Sequence, residues 1–589
     1  MYIKKFPNRD KKDSKVYICR SVPGKKKREN LEIYPSFNKL KEEHGDADAF
    51  LLSRIEELSA TISHEESEKF SITIDFNQPI DFSEGEYKAA RNAGYLFLQK
   101  AYFDLGIDPF LNKWKFTSGT KIGYSLNDAF RFLVFARVED PCSKLAVSRK
   151  GKDYLEDFSL TADNLYDCLD RIDCFSEALT RKLSGKCREA IGSKGTAVYY
   201  DCTNFYFEIQ KADEEGKGIR AYGVEKNHRP DPIVEYGLLM DESGYPIGST
   251  TFRGGKSEKN SLVPLLDNAG EEATKAKIIV ADNGLNCENN KKAIHETGRN
   301  YIFCQSPKQL SEDNLAPMFD GKDWLEYGQG KKVKSWWIIR TNKREERLVA
   351  RFDKASCDFM NAVIDDRVKR AKAFIENPSK LTYANCQDGK QYIKKIAVDK
   401  KTGEVLKTKS VLELKLDEIE KDRKYAGYIL YVTDIPRGKG DADGKFTEMK
   451  KNGYRVEFKE DLGIVEIAGR RNDIEACFET MKSGMDARPI FVRKESHIKA
   501  HLFTVYVALT LLMYMKQKYV NDMTNESLLC AIRKYCLCSI GDYGDVYATG
   551  YYSKDVDQLA KSMGFAGLDR KYLSKKTVKK IIAFSKEGS

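Results

Sequence analysis

Apolar positions recur along this chain at two different periods, and the change falls near residue 195. From about 86 to 190 the period is helical. "LNDAFRFLVFARVEDP" (126–141) sets Phe130, Leu133, Val134 and Ala136 on or near one face and stops at a proline. "NLYDCLDRI" and "FSEALTRKLSGKCREAI" predict a helix pair after it. Strands follow at 197–208 ("AVYYDCTNFYFE"), 232–240 ("PIVEYGLLM") and 245–253 ("YPIGSTTFR"), with "DESG" (241–244) as the hairpin turn between the last two. Next come a helix over 257–273 capped by Ser257, a strand in "KIIVADNG" (277–284), a helix over 288–297 and the strand "YIFCQ" (301–305). The order β-β-β-α-β-α-β predicts a mixed sheet in an α/β unit.

Residues 309–445 interrupt that order. They hold strand-like "VKSWWIIRT" (333–341) and "RLVARFD" (347–353), an amphipathic helix over about 354–376, and "YAGYILYVT" (425–433), which together predict a β-rich insertion. A helix over 470–483, an apolar helix over 497–517 and a basic helical tail complete the chain. At the other end, residues 1–45 alternate as short strands and turns, and 46–66 is a polar helical stretch. No internal repeat or low-complexity tract is present.

Composition narrows the class. A chain of 589 residues with 41% hydrophobic, 11% aromatic and 32% charged residues has enough apolar material for several packed units under a soluble surface. The longest apolar run, "LFTVYVALTLLMYM" (502–515), falls short of the roughly 18 residues that span a bilayer, so a buried helix is expected. The basic N-terminus lacks the apolar stretch of a signal peptide, and a cytoplasmic protein is expected. The fourteen cysteines show no paired CxxC spacing. Thiols in a reducing compartment are therefore the default, with a structural zinc at Cys530, Cys536 and Cys538 as the alternative. The net charge of +11 sits at the ends: residues 1–30 carry eleven Lys/Arg against three acids, and 554–589 carry nine against four. Basic ends on a nearly neutral body fit arms that meet a polyanion such as DNA or RNA, or two solvated tails.

Three acids stand out. Asp201 interrupts an apolar, aromatic strand, Asp282 ends a later strand, and Glu475 lies on the helix "RRNDIEACFETMKSG". If the first and fourth strands are neighbours, Asp201 and Asp282 stand side by side. Paired carboxylates repel unless a cation lies between them, and hard oxygen donors suit Mg²⁺ or Mn²⁺. Two such ions about 3.5–4 Å apart can drive phosphodiester displacement. Singly, each acid has a plainer role: a bulge, the "DNG" turn, a solvated helix position. Arg471, Glu475, Phe478 and Lys482 follow at helical spacing, which predicts one shared face. That face reads either as surface ion pairs or as a ligand flanked by phosphate-holding cations.

Together these segments resemble the DDE transposases of bacterial insertion sequences, in the group with a β-strand insertion between the second aspartate and the catalytic glutamate. The resemblance runs from about 197 to 513, through "YYDCTNFYFE", "NHRPDPIVEYGLLMDESGYPIGSTTFRGGKSEKNSL", "IIVADNGLN", "YAGYILYVTD" and "RRNDIEACFETMKSGMDARPIFVRKESHIKAHLFTVYVALTLL". "LVFARVEDPCSKLA" (133–146) is similar to the helical region upstream in that family. The family's Tyr-Arg-Glu-Lys signature is matched by Arg471, Glu475 and Lys482, with Ala468 at the tyrosine position. The resemblance implies a ribonuclease H-like core with Asp201, Asp282 and Glu475 as ligands of two Mg²⁺ or Mn²⁺ ions. Arg471 and Lys482 would contact phosphates of double-stranded DNA at the terminal inverted repeats, where a homodimer would join two ends to target DNA. The expected organisation is a basic arm (1–45), a helical DNA-binding or assembly region (46–190), the core in two parts (191–308 and 446–520) around the insertion (309–445), and a basic helical C-terminal region (521–589). The expected setting is the bacterial nucleoid.

Other residues carry weaker signals. His228 and Arg229 in "KNHRPDP" stand near the first acid and could contact DNA, and Asp231 either supports the site or shapes the turn. Trp336 and Trp337 could stack on an unpaired base or pack in the core. His497 and His501 have metal-compatible spacing but lead into an apolar helix and read as structural. The rival functions are a nuclease of the same core that never joins DNA, and a non-catalytic DNA-binding derivative of a transposase.

Overall fold

The computed structural model describes residues 2–9, 12–20, 29–61, 77, 89–209, 211–214, 216–223, 231–256, 261–268, 276–340, 342, 344–376, 390–397, 410–437, 460–540 and 546–588. The chain divides into two compact units, Met1–Tyr87 and Lys88–Ser589.

In the first unit, strands β1 (Tyr2–Pro7), β2 (Ser14–Arg20) and β3 (Glu29–Tyr34) pair antiparallel around β2. Val16 and Ile18, two apart on β2, turn to one side and are fully buried. They meet Leu40 of helix α1 (Phe37–His44) and Ala47 and Leu51 of α2 (Ala47–Thr61). Ser36 caps α1 by accepting the Lys39 N–H at 3.0 Å. The helical stretch expected from 46 onward thus belongs with the N-terminal strands, because its apolar side is spent on β2.

The second unit opens with β4 (Ala90–Asn92) and helices α3 (Tyr95–Asp104), α4 (Leu126–Glu139), α5 (Ala162–Ile172) and α6 (Ser176–Ile191). α4 is buried on every side, Arg131, Arg137 and Glu139 included, rather than on the single face its periodicity predicts. The strands that follow are β5 (Ala197–Tyr206), β6 (Ile233–Asp241), β7 (Pro246–Arg253), β8 (Ile278–Ala281), β9 (Asn300–Cys304), β10 (Leu325–Gly328), β11 (Lys331–Ile339), β12 (Glu345–Asp353), β13 (Ile393–Ala397), β14 (Ser410–Leu414) and β15 (Tyr428–Thr433). Gly244, at φ 84°, turns the chain between β6 and β7 and returns its N–H to the Asp241 carbonyl at 2.9 Å. The expected helix near 257–273 is Leu262–Asn268, and its Ser257 cap lies outside the described residues.

Among the described residues nine strands form one mixed sheet, in the order β10-β11-β12-β15-β9-β8-β5-β6-β7. β5, β6 and β7 are antiparallel neighbours, whereas β5-β8 and β8-β9 pair in parallel. The fold is α/β with a large mixed sheet. The insertion does not stand apart from it: β15 pairs antiparallel with β9, and β12, β11 and β10 continue outward. An uncovered β9 would leave a row of backbone groups unpaired beside the core, which β15 removes. Among the described residues of the insertion, only the helices 354–376 and 416–425, with the β13–β14 pair, form a small core of their own around Ile364, Ala371, Tyr392 and Ile419.

After the insertion come α7 (Asp461–Gly469), α8 (Asn472–Glu479) with a π-helical turn at Thr480–Gly484, α9 (Glu495–Tyr519), α10 (Asn525–Lys534), β16 (Cys536–Ile540), β17 (Val546–Tyr551), β18 (Tyr572–Ser574) and α11 (Lys575–Ser585). α9 is long and apolar enough to cross a membrane by length and composition, but 94% of its apolar window is buried within the protein. The C-terminal region is not purely helical. Its strands form a sheet in the order β18-β17-β16-β4, so residues 90–92 and the C-terminus are zipped together. Gln99 donates to Ser585 Oγ at 2.8 Å and Lys100 to the Glu587 carbonyl at 2.8 Å. The tail is therefore a docked element, not a free arm.

One buried acid couples this core to pH. Asp434, just past β15, accepts the Tyr301 N–H at 3.0 Å, and burial pushes its pKa from 3.8 to about 7, opposed by that hydrogen bond and aided by the Glu346 charge. The folded state keeps a proton that the unfolded chain releases between about pH 4 and 7. Its stabilisation is complete below pH 4 and is lost as pH rises through 7. Asp434→Asn keeps the acceptor without the ionisation. Its melting temperature is expected to match wild type near pH 4 and to exceed it at pH 8, by the equivalent of a few kcal/mol at most. Equal pH profiles in thermal denaturation would refute this.

Candidate active site

The parallel β5–β8 register pairs Tyr200 with Ala281, so the next positions are Asp201 and Asp282. Both extend to the same face, because side chains alternate and each acid is one step beyond a matched pair. Asp201 is half-buried in the strand, with Oδ1 accepting the Cys202 N–H at 2.8 Å. Asp282 continues β8 in extended conformation before a short 3₁₀ turn. The same parity carries Cys304, at the end of β9, and Tyr431 of β15 into the row beside Asp282.

The junction between α7 and α8 lies over this row. Tyr199 of β5 donates to the Ile467 carbonyl at 2.9 Å, and the Arg471 N–H returns to the Ala468 carbonyl at 3.2 Å. Ala468 is buried in the last turn of α7. Arg471, at the start of α8, spans two of the acids: Nη1 is 3.0 Å from Asp282 Oδ1 and Nη2 is 3.2 Å from Glu475 Oε1. Burial opposes the charge on Arg471, but the fields of Cys304, Asp282, Glu475 and Asp201 outweigh it and raise its pKa. Two of the three carboxylates predicted from sequence therefore share one guanidinium, and the third, Asp201, acts on it through its field. Cys304 keeps its proton at neutral pH, and its charge bears on Arg471 only in the alkaline range. Burial pushes its thiol up to about 12 against the pull of Arg471, with Asp282 and Asp201 adding to the rise.

The helix face predicted over Arg471, Glu475, Phe478 and Lys482 is split. Phe478 turns into the core while Glu475 is exposed, and Lys482 falls in the π-helical turn. The wider turn closes with the Met485 N–H on the Thr480 carbonyl at 2.8 Å and shifts the phase of the helix by a residue. Lys482 Nζ thereby reaches Thr203 Oγ1, two positions along β5 from Asp201 and on the same side of the sheet.

The remaining predicted residues lie elsewhere. Trp336 packs against the core and donates to the Asn314 carbonyl at 2.8 Å, and Trp337 is half-buried on the opposite face of β11. His228 and Arg229 lie outside the described residues, and Asp231 sits half-buried ahead of β6. His497 pairs with Asp170 at 3.0 Å, whereas His501 is buried against Lys144 and the Ala487 carbonyl, so the two histidines do not share a target. Sequence reasoning missed Cys304, Thr203 and Tyr199. Strand parity carried across β8 and β9 would have found the first.

Among the described residues no three acidic, histidine or cysteine side chains already converge as a metal-binding group. Two of the carboxylates instead share Arg471. Their chemistry still suits a hard divalent cation: oxygen donors, two of them on adjacent strands in register, already arranged about a positive charge. No protein-family model matches the sequence, and no curated protein matches it.

Proposed function

We propose that this protein is a DDE transposase that cuts DNA at the terminal inverted repeats of an insertion sequence and joins the ends to target DNA. The observation that carries the reading is the in-register pairing of Asp201 and Asp282, with Glu475 brought to them through Arg471. A ribonuclease H-like core is supported by three antiparallel strands, β7-β6-β5, continued in parallel by β8 and β9, with one acid on β5 and another just past the end of β8. Asp201, Asp282 and Glu475 would hold the Mg²⁺ or Mn²⁺ ions. Such a pair supplies activation of the attacking oxygen and stabilisation of the leaving one.

The chain's own cations do the rest. Arg471 orients Asp282 and Glu475 and offers a planar fork to a phosphate, and Lys482, steadied by Thr203, adds a second positive charge on the same face. Duplex DNA has a further landing surface on the C-terminal module. Lys571, Lys576, Lys579 and Lys580 are exposed, and among the described residues no carboxylate pairs with them. Synapsis of two ends requires two protomers.

The test is cleavage and strand transfer by the full chain on labelled DNA carrying the repeat that flanks its coding sequence, with Mg²⁺ or with EDTA. Metal-dependent nicking at the repeat boundary with joined products supports the proposal. Nicking without joined products indicates a nuclease, and binding without nicking indicates a non-catalytic derivative. For the C-terminal surface, Lys576, Lys579 and Lys580 replaced together by Gln are expected to flatten the salt dependence of duplex binding, by about 0.9 in log–log slope per lysine that meets a phosphate. An unchanged slope in anisotropy titrations would remove that surface from the interface.

A further inference from the structure

A cavity of about 280 Å³ opens beside the C-terminal end of α4, between residues 141–144 and the segment 486–492. Arg137, Lys144 and Arg488 line it, and Asp486 is the one carboxylate among its described lining residues. Arg137 and Lys144 are only 3% and 4% exposed. Among the described residues neither has a carboxylate within ion-pair distance. Arg137 donates to the Cys142 carbonyl, but its Nε is buried with no partner. Lys144 Nζ lies 3.3 Å from His501 Nδ1, and His501 Nε2 faces the Ala487 carbonyl at 3.2 Å. The carbonyl can only accept, so Nε2 carries the proton and Nδ1 is left to accept from Lys144. Burial and the two cations hold the His501 pKa far below its ordinary value, so it adds no charge. Asp486 and Asp140 act on Arg137 only through their fields and act on Arg533 as well, so neither is a dedicated counter-charge for Arg137.

Burial, and for Lys144 also the nearby Arg137, pushes the pKa values of Arg137 and Lys144 down, because a buried cation without a counter-charge costs several kcal/mol unless something compensates. An anion in the cavity would do so. Arginine forks match phosphate oxygens in pairs, and a lysine adds a point charge, a set better suited to a phosphate than to a single carboxylate. At the mouth, Phe491 is 65% exposed and offers a flat apolar face next to the cations. The Ile490 N–H binds the Tyr206 carbonyl at 3.0 Å, which ties the cavity to the end of β5, five residues beyond Asp201.

We infer that this cavity binds a phosphate-bearing ligand, with the phosphate seated among Arg137, Lys144 and Arg488. The inference stands on these residues alone and does not depend on the chemistry of the three acids. The phosphate can come from a nucleic-acid strand, with an unpaired base against Phe491, or from a free small anion.

The experiment uses the full chain in EDTA, with inorganic phosphate as one probe and a short single-stranded oligonucleotide, with and without a 5′-phosphate, as the other. Binding is read by calorimetry and by thermal shift. Wild type is expected to bind saturably and to melt higher with ligand. Arg488→Gln, at the half-buried mouth, is expected to weaken binding at least tenfold. Lys144→Met is expected to fold and to melt no lower than wild type without ligand, since it removes a buried amine that has no counter-charge, and to lose most of the ligand-induced shift. Asp282→Asn reports on the acids, and in that background each cavity substitution is expected to weaken binding by the same factor as in wild type. A response to inorganic phosphate alone assigns a free anion. Tighter oligonucleotide binding that both cavity variants weaken assigns a nucleic-acid strand. No saturable binding of either probe, or equal binding by wild type and both cavity variants, overturns the site.

Discussion

Under the proposed transposase function, Asp201→Asn is expected to abolish metal-dependent DNA cleavage, by at least about 10³-fold, while leaving DNA binding and folding intact. The substitution preserves shape, and the amide oxygen can still accept the Cys202 N–H that Asp201 Oδ1 accepts now. What it removes is the negative charge beside Asp282 on the neighbouring strand. A site that relies on paired carboxylates to hold divalent cations loses several kcal/mol of transition-state stabilisation when one becomes neutral, which is the stated loss in rate. Single-turnover cleavage, anisotropy binding and thermal denaturation on the same preparation separate the three effects. Cleavage within about tenfold of wild type would place the chemistry elsewhere, and loss of cleavage together with loss of folding would make Asp201 structural.

The second large effect concerns stability. Leu509→Ala is expected to destabilise the protein by about 2–5 kcal/mol, the range for truncating a fully buried leucine. Leu509 is 0% exposed, at the middle of α9. That helix packs against α3, α4, α5 and α6 and against β7 of the main sheet. Few routes exist for the surroundings to collapse into the space left behind, which favours the upper half of the range. Against a typical total of about 5–15 kcal/mol, such a loss is visible as a shift of the urea midpoint. A loss under about 1 kcal/mol would mean that this helix is not the centre of the core. The prediction also tests the burial that distinguishes α9 from a membrane span of the same composition.

Period and parity made part of this protein legible from the sequence. An acid within an aromatic strand, and a second acid closing a short apolar one, marked Asp201 and Asp282. The structure joins them because β5 and β8 are parallel neighbours. The strands of the core and the burial of α9 were also readable, since alternation and unbroken apolar runs are local properties of the chain. α8 was readable as a helix but not as a face: Phe478 turns inward, and a π-helical turn re-aims Lys482 toward Thr203. Neither the inward turn nor the wider turn has a reliable local signal.

By itself, then, the sequence determined which segments are strands or helices, which residues of each share a side, and which acids could cooperate. Only the tertiary structure decided who stands next to whom. It set β15 against β9, so the insertion extends the main sheet, and it zipped residues 90–92 to the C-terminal strands. It also put Arg471 between Asp282 and Glu475 and left Arg137 and Lys144 buried around one cavity. The physical reason is the range of the forces involved. Side-chain direction follows from the backbone repeat of a few residues, whereas strand neighbours and charge environments follow from pairings across hundreds of residues, chosen by the summed burial of the whole fold.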